Sequence, residues 1–220
     1  MLLTLFHRMA PLASSRAPQL VSGLVACGAI SFVVSDFRLG AWIFLGQRLI
    51  LIALLWSAIG IPSALASTIA SVAIALIFSL TAWRLWWVQR AVRKGATEIA
   101  PNKPALNRFS LRLVTAALGI LVSYGLVQKY HVYPLPFVTT FAIAWLFMSS
   151  LLCLVLYDHA LHASLGILSF ADGCRILYAL WQPNPMVWGL WAACDVLVAL
   201  AASHLHNGEA VITKSQSREN

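Results

Sequence analysis

Residues 49–80 read "LILIALLWSAIGIPSALASTIASVAIALIFSL", an uninterrupted stretch without one charged side chain. A membrane span needs about 20 apolar residues, so this run is too long for one and right for two. Gly60 and Pro62 mark the division. Proline is tolerated in the first turn of a helix, where its missing N–H breaks no helical bond. The second span is therefore expected over about 39–61, and Pro62 opens a third that continues to about 88.

The remainder of the chain repeats the pattern. Further apolar runs cover about 19–34, 109–127, 135–157, 161–181 and 186–205. The expected architecture is all-α: a polytopic transmembrane helical bundle of about seven membrane-spanning helices. Residues 1–18 form an N-terminal arm, 19–205 the transmembrane domain, and 206–220 a polar, frayed C-terminal tail. The arm lacks the basic region and the long apolar run of a signal peptide. Totals agree with this class. Of the 220 residues, 60% are hydrophobic and 10% charged, with mean hydropathy +0.82. Soluble domains carry about 25% charged residues. A barrel would need ~10-residue alternating segments, and the runs here do not alternate.

The formal net charge of +8 is first a topology signal. Arg84, Arg90, Arg93, Lys94, Lys103 and Arg108 gather around one loop, "QRAVRKGATEIAPNKPALNR" at 89–108. Basic loops face the cytoplasm. That places the C-terminus inside, in a cell inner membrane, although Arg8 and Arg16 then lie outside. The basic residues do not interleave with aromatics on a soluble surface, which argues against a nucleic-acid partner. Trp83, Trp86, Trp87, Tyr130 and Tyr133 suit anchors at the membrane–water boundary. Cys27, Cys153, Cys174 and Cys194 lie in apolar segments without a CxxC pair, so neither a disulfide framework nor a metal site is expected. His159 and His162 beside Asp158 suit solvated side chains at a membrane edge better than ligands. No phosphate loop, Ser/His/Asp set or haem motif is present, and no cofactor is expected.

Four ionisable residues fall well inside spans: Arg48, Asp172, Arg175 and Asp195, with Gln47 beside Arg48. A charge near the bilayer centre costs several kcal/mol, so such residues face the bundle interior and pair. Asp172 and Arg175 share one helical face at i,i+3. Asp195 is the natural partner for Arg48, because the tight turn "QPNP" makes the last two helices antiparallel neighbours. Two roles compete for this set. A buried carboxylate can load and release protons, which would make an ion path. Two acids against two bases instead suit ion pairs that fix helix register.

Two blocks carry a resemblance. They are "DFRLGAWIFLGQRLILIALLWSAIG", residues 36–60, and "LCLVLYDHALHASLGILSFADGCRILYALW", residues 152–181, continuing through "MVWGLWAACDVLVAL". Together they resemble the membrane component E of hydrogenase-4, a family related to the small subunit K of respiratory complex I. The match covers about half the chain. Arg38, Gln47, Gly166, Gly173 and Asp195 fall on family positions. The resemblance implies an integral membrane subunit of a proton-linked oxidoreductase, binding no redox centre itself, with other membrane subunits and the lipid bilayer as partners. One departure bears on mechanism. The family's membrane glutamate precedes the glycine at 173 in a Glu–Asn–Gly triplet, where this chain has Ala171, Asp172 and Gly173. The acid is displaced by one residue, about 100° around a helix. Arg48 also stands where the family pattern has a small residue. Both changes imply a structural or auxiliary subunit more than a conducting one. The alternatives are a free-standing small membrane transporter, or a scaffold or assembly factor without an ion path.

Overall fold

The computed structural model describes residues 17–34, 37–95, 105–130, 135–157, 160–181 and 184–219. All regular structure among them is helical. The helices are α1 (Ala17–Val33), α2 (Phe37–Gly95), α3 (Ala105–Lys129), α4 (Phe137–Leu156), α5 (Ala160–Trp181) and α6 (Pro185–Glu219). α2 consists of two helical halves joined at a break. Gly60 has φ 73 and ψ 167, inside a segment that is otherwise helical. That conformation belongs almost wholly to glycine, because a Cβ would collide with the backbone. Pro62 follows two residues later and opens the second half of α2, as its lack of an N–H requires. The single uncharged run thus becomes two antiparallel segments joined at Gly60.

With α2 folded back, seven helical segments alternate in direction. Gly60, the start of α4, the end of α5 and the start of α6 lie at one end of the bundle, called here the Gly60 end. The end of α2 at Gly95 and the start of α3 at Ala105 mark the other, the basic-loop end. Five segments are long and apolar enough to cross a membrane: Arg38–Leu55, Ile59–Arg84, Ser110–Lys129, Phe137–Leu156 and Pro185–His206. The chain is a multi-pass membrane protein. α1 supplies only a shorter apolar stretch, Ala17–Ser31. α5 has 22 residues, enough to span, but its hydropathy is lowered by His162, Asp172 and Arg175.

α4 packs most extensively on α5, α2 on α6, and α1 on α2. Lipid tails are as apolar as leucine, so these interfaces depend on close fit and interhelical hydrogen bonds rather than on water exclusion. At Gly166 of α5, a Cβ would come within 3.1 Å of Ser150 O and of Cys153 Cβ on α4. Only a bare backbone allows the two helices to approach so closely there. Farther along, Thr81 of α2 and Ser203 of α6 share a hydroxyl bond of 2.7 Å. Two apolar clusters fill the interior. One, around Leu24, Leu55, Trp145, Leu146 and Ile176, joins α1, α2, α4 and α5. The other, around Phe44, Phe78, Leu168 and Ala199, joins α2, α5 and α6.

The N-terminal arm lies outside the described residues, apart from Ala17 and Pro18, which start α1. The expected polar tail is helical: α6 continues without a break past 206 to Glu219. The segment lacks a proline or a second glycine after Gly208 to stop it. Trp83, Trp87 and Tyr130 are exposed near helix ends, where boundary anchors belong. Tyr133 lies outside the described residues.

Candidate functional site

Arg48, Asp172, Arg175 and Asp195 meet near the middle of the bundle. They come from α2, α5, α5 and α6, and their exposures are 3%, 1%, 5% and 4%. Arg48 and Asp195 stand near the middle of the apolar segments Arg38–Leu55 and Pro185–His206, at the level of Asp172 and Arg175. Arg48 Nε donates to Asp172 Oδ2 at 3.0 Å, and Arg48 Nη1 donates to Asp195 Oδ2 at 2.5 Å. Arg175 Nη1 donates to Asp172 Oδ1 at 2.7 Å. Arg175 Nη2 closes the ring on Asp195 Oδ2 and also reaches the Trp191 carbonyl oxygen at 3.3 Å. The result is a closed quartet of alternating sign in which every acid touches both bases.

Planar guanidinium groups make this possible. Each offers a fork of donors that engages two carboxylates at once, which a lysine ammonium does not do in fixed geometry. Aromatic faces complete the enclosure. The Arg48 guanidinium lies 5.0 Å from the Phe44 ring centroid, and that of Arg175 lies 5.4 Å from the Trp191 ring centroid. Phe44 precedes Arg48 by four residues, and Trp191 precedes Asp195 by four. That spacing stacks each ring one turn away on the same helical face. Neither aromatic was singled out from the sequence, although the i,i+4 spacing was there to be read.

Gln47 is buried at 3% but does not join the quartet. One residue is about 100° on a helix. Gln47 therefore turns toward α1, α4 and α5, where it lines a cavity with Ser149, Tyr157, His162 and Ser169. His162 stacks on Tyr157, with ring centroids 4.3 Å apart and planes 7° apart. His159 and Asp158 lie outside the described residues. Arg112 of α3 rests over the Tyr157 ring at 4.8 Å, near the basic-loop end.

The four cysteines are free, and among the described residues no group of three or more His, Cys, Asp or Glu could hold a metal ion. A cleft of about 440 Å³ lies between α1, α3 and α4. Val21, Val25, Ile120, Phe137 and Phe141 line it, and none of the quartet does. It offers nothing to orient a polar substrate.

What the quartet can do chemically follows from its closure. Each carboxylate is engaged by both guanidinium groups, through both oxygens at Asp172 and through Oδ2 alone at Asp195, and the four formal charges sum to zero. Such a ring fixes the mutual rotation of α2, α5 and α6, because each helix must present its charge at one level and one azimuth. No family model, curated protein or solved structure matches the chain.

Proposed function

We propose that the chain is a non-catalytic integral membrane subunit whose buried quartet locks α2, α5 and α6 together, structural or auxiliary to proton movement carried out elsewhere in its assembly. The closed ring of ion pairs is the observation that supports this role. A proton relay needs a carboxylate that is free to exchange between partners. Here each carboxylate is gripped by two guanidinium groups. The assembly is a proton-linked oxidoreductase of the hydrogenase-4 or complex I type, on the strength of the two resembling sequence blocks. The acid displaced to Asp172 agrees with an auxiliary role. Its place is the cell inner membrane, with the basic loop and the C-terminus on the cytoplasmic side. Its partners are the other membrane subunits and the lipid.

Asp172→Asn tests the role. The locking role predicts fewer assembled complexes, with proton coupling per assembled complex unchanged. Full assembly with coupling abolished would mean that Asp172 conducts.

A further inference from the structure

Two small cavities of mixed lining flank the quartet, one toward each end of the bundle. The first, about 10 Å³, lies toward the Gly60 end and is bordered by Arg48, Asp172, Arg175, Ser67, Ser71 and Trp188. The second, about 20 Å³, lies toward the basic-loop end and is bordered by Phe44, Gln47, Ser149, Tyr157, His162 and Ser169. Chain direction fixes this order. Along the first half of α2, Phe44 and Gln47 precede Arg48, while Leu51, Leu55 and Ile59 follow it toward Gly60.

We propose that both cavities hold water and that the quartet is the seal between two ends of an otherwise hydrated path. This rests on the locking role argued above. One water needs roughly 10–15 Å³ and two to four polar partners. The first cavity meets both conditions. Arg48 Nη2 and Trp188 Nε1 are buried donors with no acceptor, and both residues border it. Ser71 donates its proton to Ser67 O at 2.7 Å, which leaves its oxygen able to accept. In the second cavity the Gln47 carboxamide makes no hydrogen bond to another described residue, and serine hydroxyls stand opposite it. An ion is the poorer occupant. The quartet has no net charge to offset one, and the spaces admit no hydration shell.

Arg48 is the partition. Its guanidinium borders the first cavity and lies over Phe44, which borders the second. The seal has a steric part, the Arg48–Phe44 stack. Its electrostatic part is that neither carboxylate is free to take up an excess proton, each being engaged by two guanidinium groups.

The charge-balanced double variant Arg48→Ala/Asp195→Asn removes the partition and keeps the Asp172–Arg175 pair. Purified protein in liposomes is given a pH gradient, and its collapse is followed with an entrapped pH dye. The seal predicts wild-type liposomes as tight as empty ones and a several-fold faster collapse with the double variant. Tight double-variant liposomes, with helix content and elution unchanged, would overturn the seal and leave the locking role standing. Leaky wild-type liposomes would overturn the locking role as well. Should the double variant not fold, hydroxyl-radical labelling by X-ray radiolysis in ¹⁸O water tests the wild type. Trp188 and Phe78 are 3% and 0% exposed, and Phe78 borders neither cavity. Labelling of Trp188 above that of Phe78 by well more than the intrinsic reactivity ratio of the two rings supports the water site, and labelling of Trp188 as low as that of Phe78 overturns it.

Discussion

Replacing Arg48 with methionine keeps most of the side-chain volume and removes one corner of the ring. Two charge-assisted contacts disappear, at 3.0 Å to Asp172 and 2.5 Å to Asp195. Arg175 still touches both acids but now faces two negative charges alone. Removing one partner of a buried pair costs about 3–5 kcal/mol, chiefly because the remaining charge is stranded. The single variant is therefore expected to lose about 3–5 kcal/mol of stability. Adding Asp195→Asn removes the stranded charge and restores most of that loss. Converting all four residues to apolar ones of similar volume is expected to change stability little or raise it by about 1–4 kcal/mol. Equilibrium unfolding in mixed micelles, read by circular dichroism, measures all three. The coupling between Arg48 and Asp195 follows from the double-mutant cycle. An Arg48→Met variant within about 1 kcal/mol of wild type, less than the loss of an ordinary buried hydrogen bond, would refute the reasoning. So would a second substitution whose cost simply adds to the first.

Other expectations concern the backbone and the helix interfaces. Gly60→Ala forces a Cβ into the conformation at φ 73 and ψ 167 and should cost about 1–3 kcal/mol in the same unfolding assay. Gly166→Ala meets Ser150 O at 3.1 Å and should cost about 1–3 kcal/mol by overpacking α4 against α5. Gly46→Ala is the control: a Cβ there meets nothing within 4 Å, so helix propensity should raise stability by up to about 1 kcal/mol. Thr81→Val removes the bond to Ser203 and should cost about 0.6 kcal/mol, the usual worth of such a bond between membrane helices.

Much of the fold can be read from the residues because the constraint is simple. Hydrocarbon requires apolar helices of a certain length, and five of the helical segments supply it, while α1 is shorter and α5 carries charges in its middle. The Gly60–Pro62 break is equally legible, since each residue has a backbone property that few others share. Asp172 with Arg175, and Arg48 with Asp195, follow from helical spacing and a short turn. Closure into one ring does not. It depends on the rotation of α2 against α5, which brings Arg48 to Asp172 as well. Interhelical packing sets that rotation, and no local pattern encodes it. Gln47 illustrates the same point, since it adjoins Arg48 in sequence yet faces another cavity. Helix through residues 206–219 is not legible in the sequence, because a polar composition carries no apolar face to mark it.

Gentle detergent extraction of the native membrane, native-gel separation and mass spectrometry of what travels with the chain test the central claim most directly. Co-migration with other membrane and peripheral subunits of a hydrogenase- or complex I-like assembly is the predicted result. Migration alone, at 24.0 kDa plus its detergent, would contradict it.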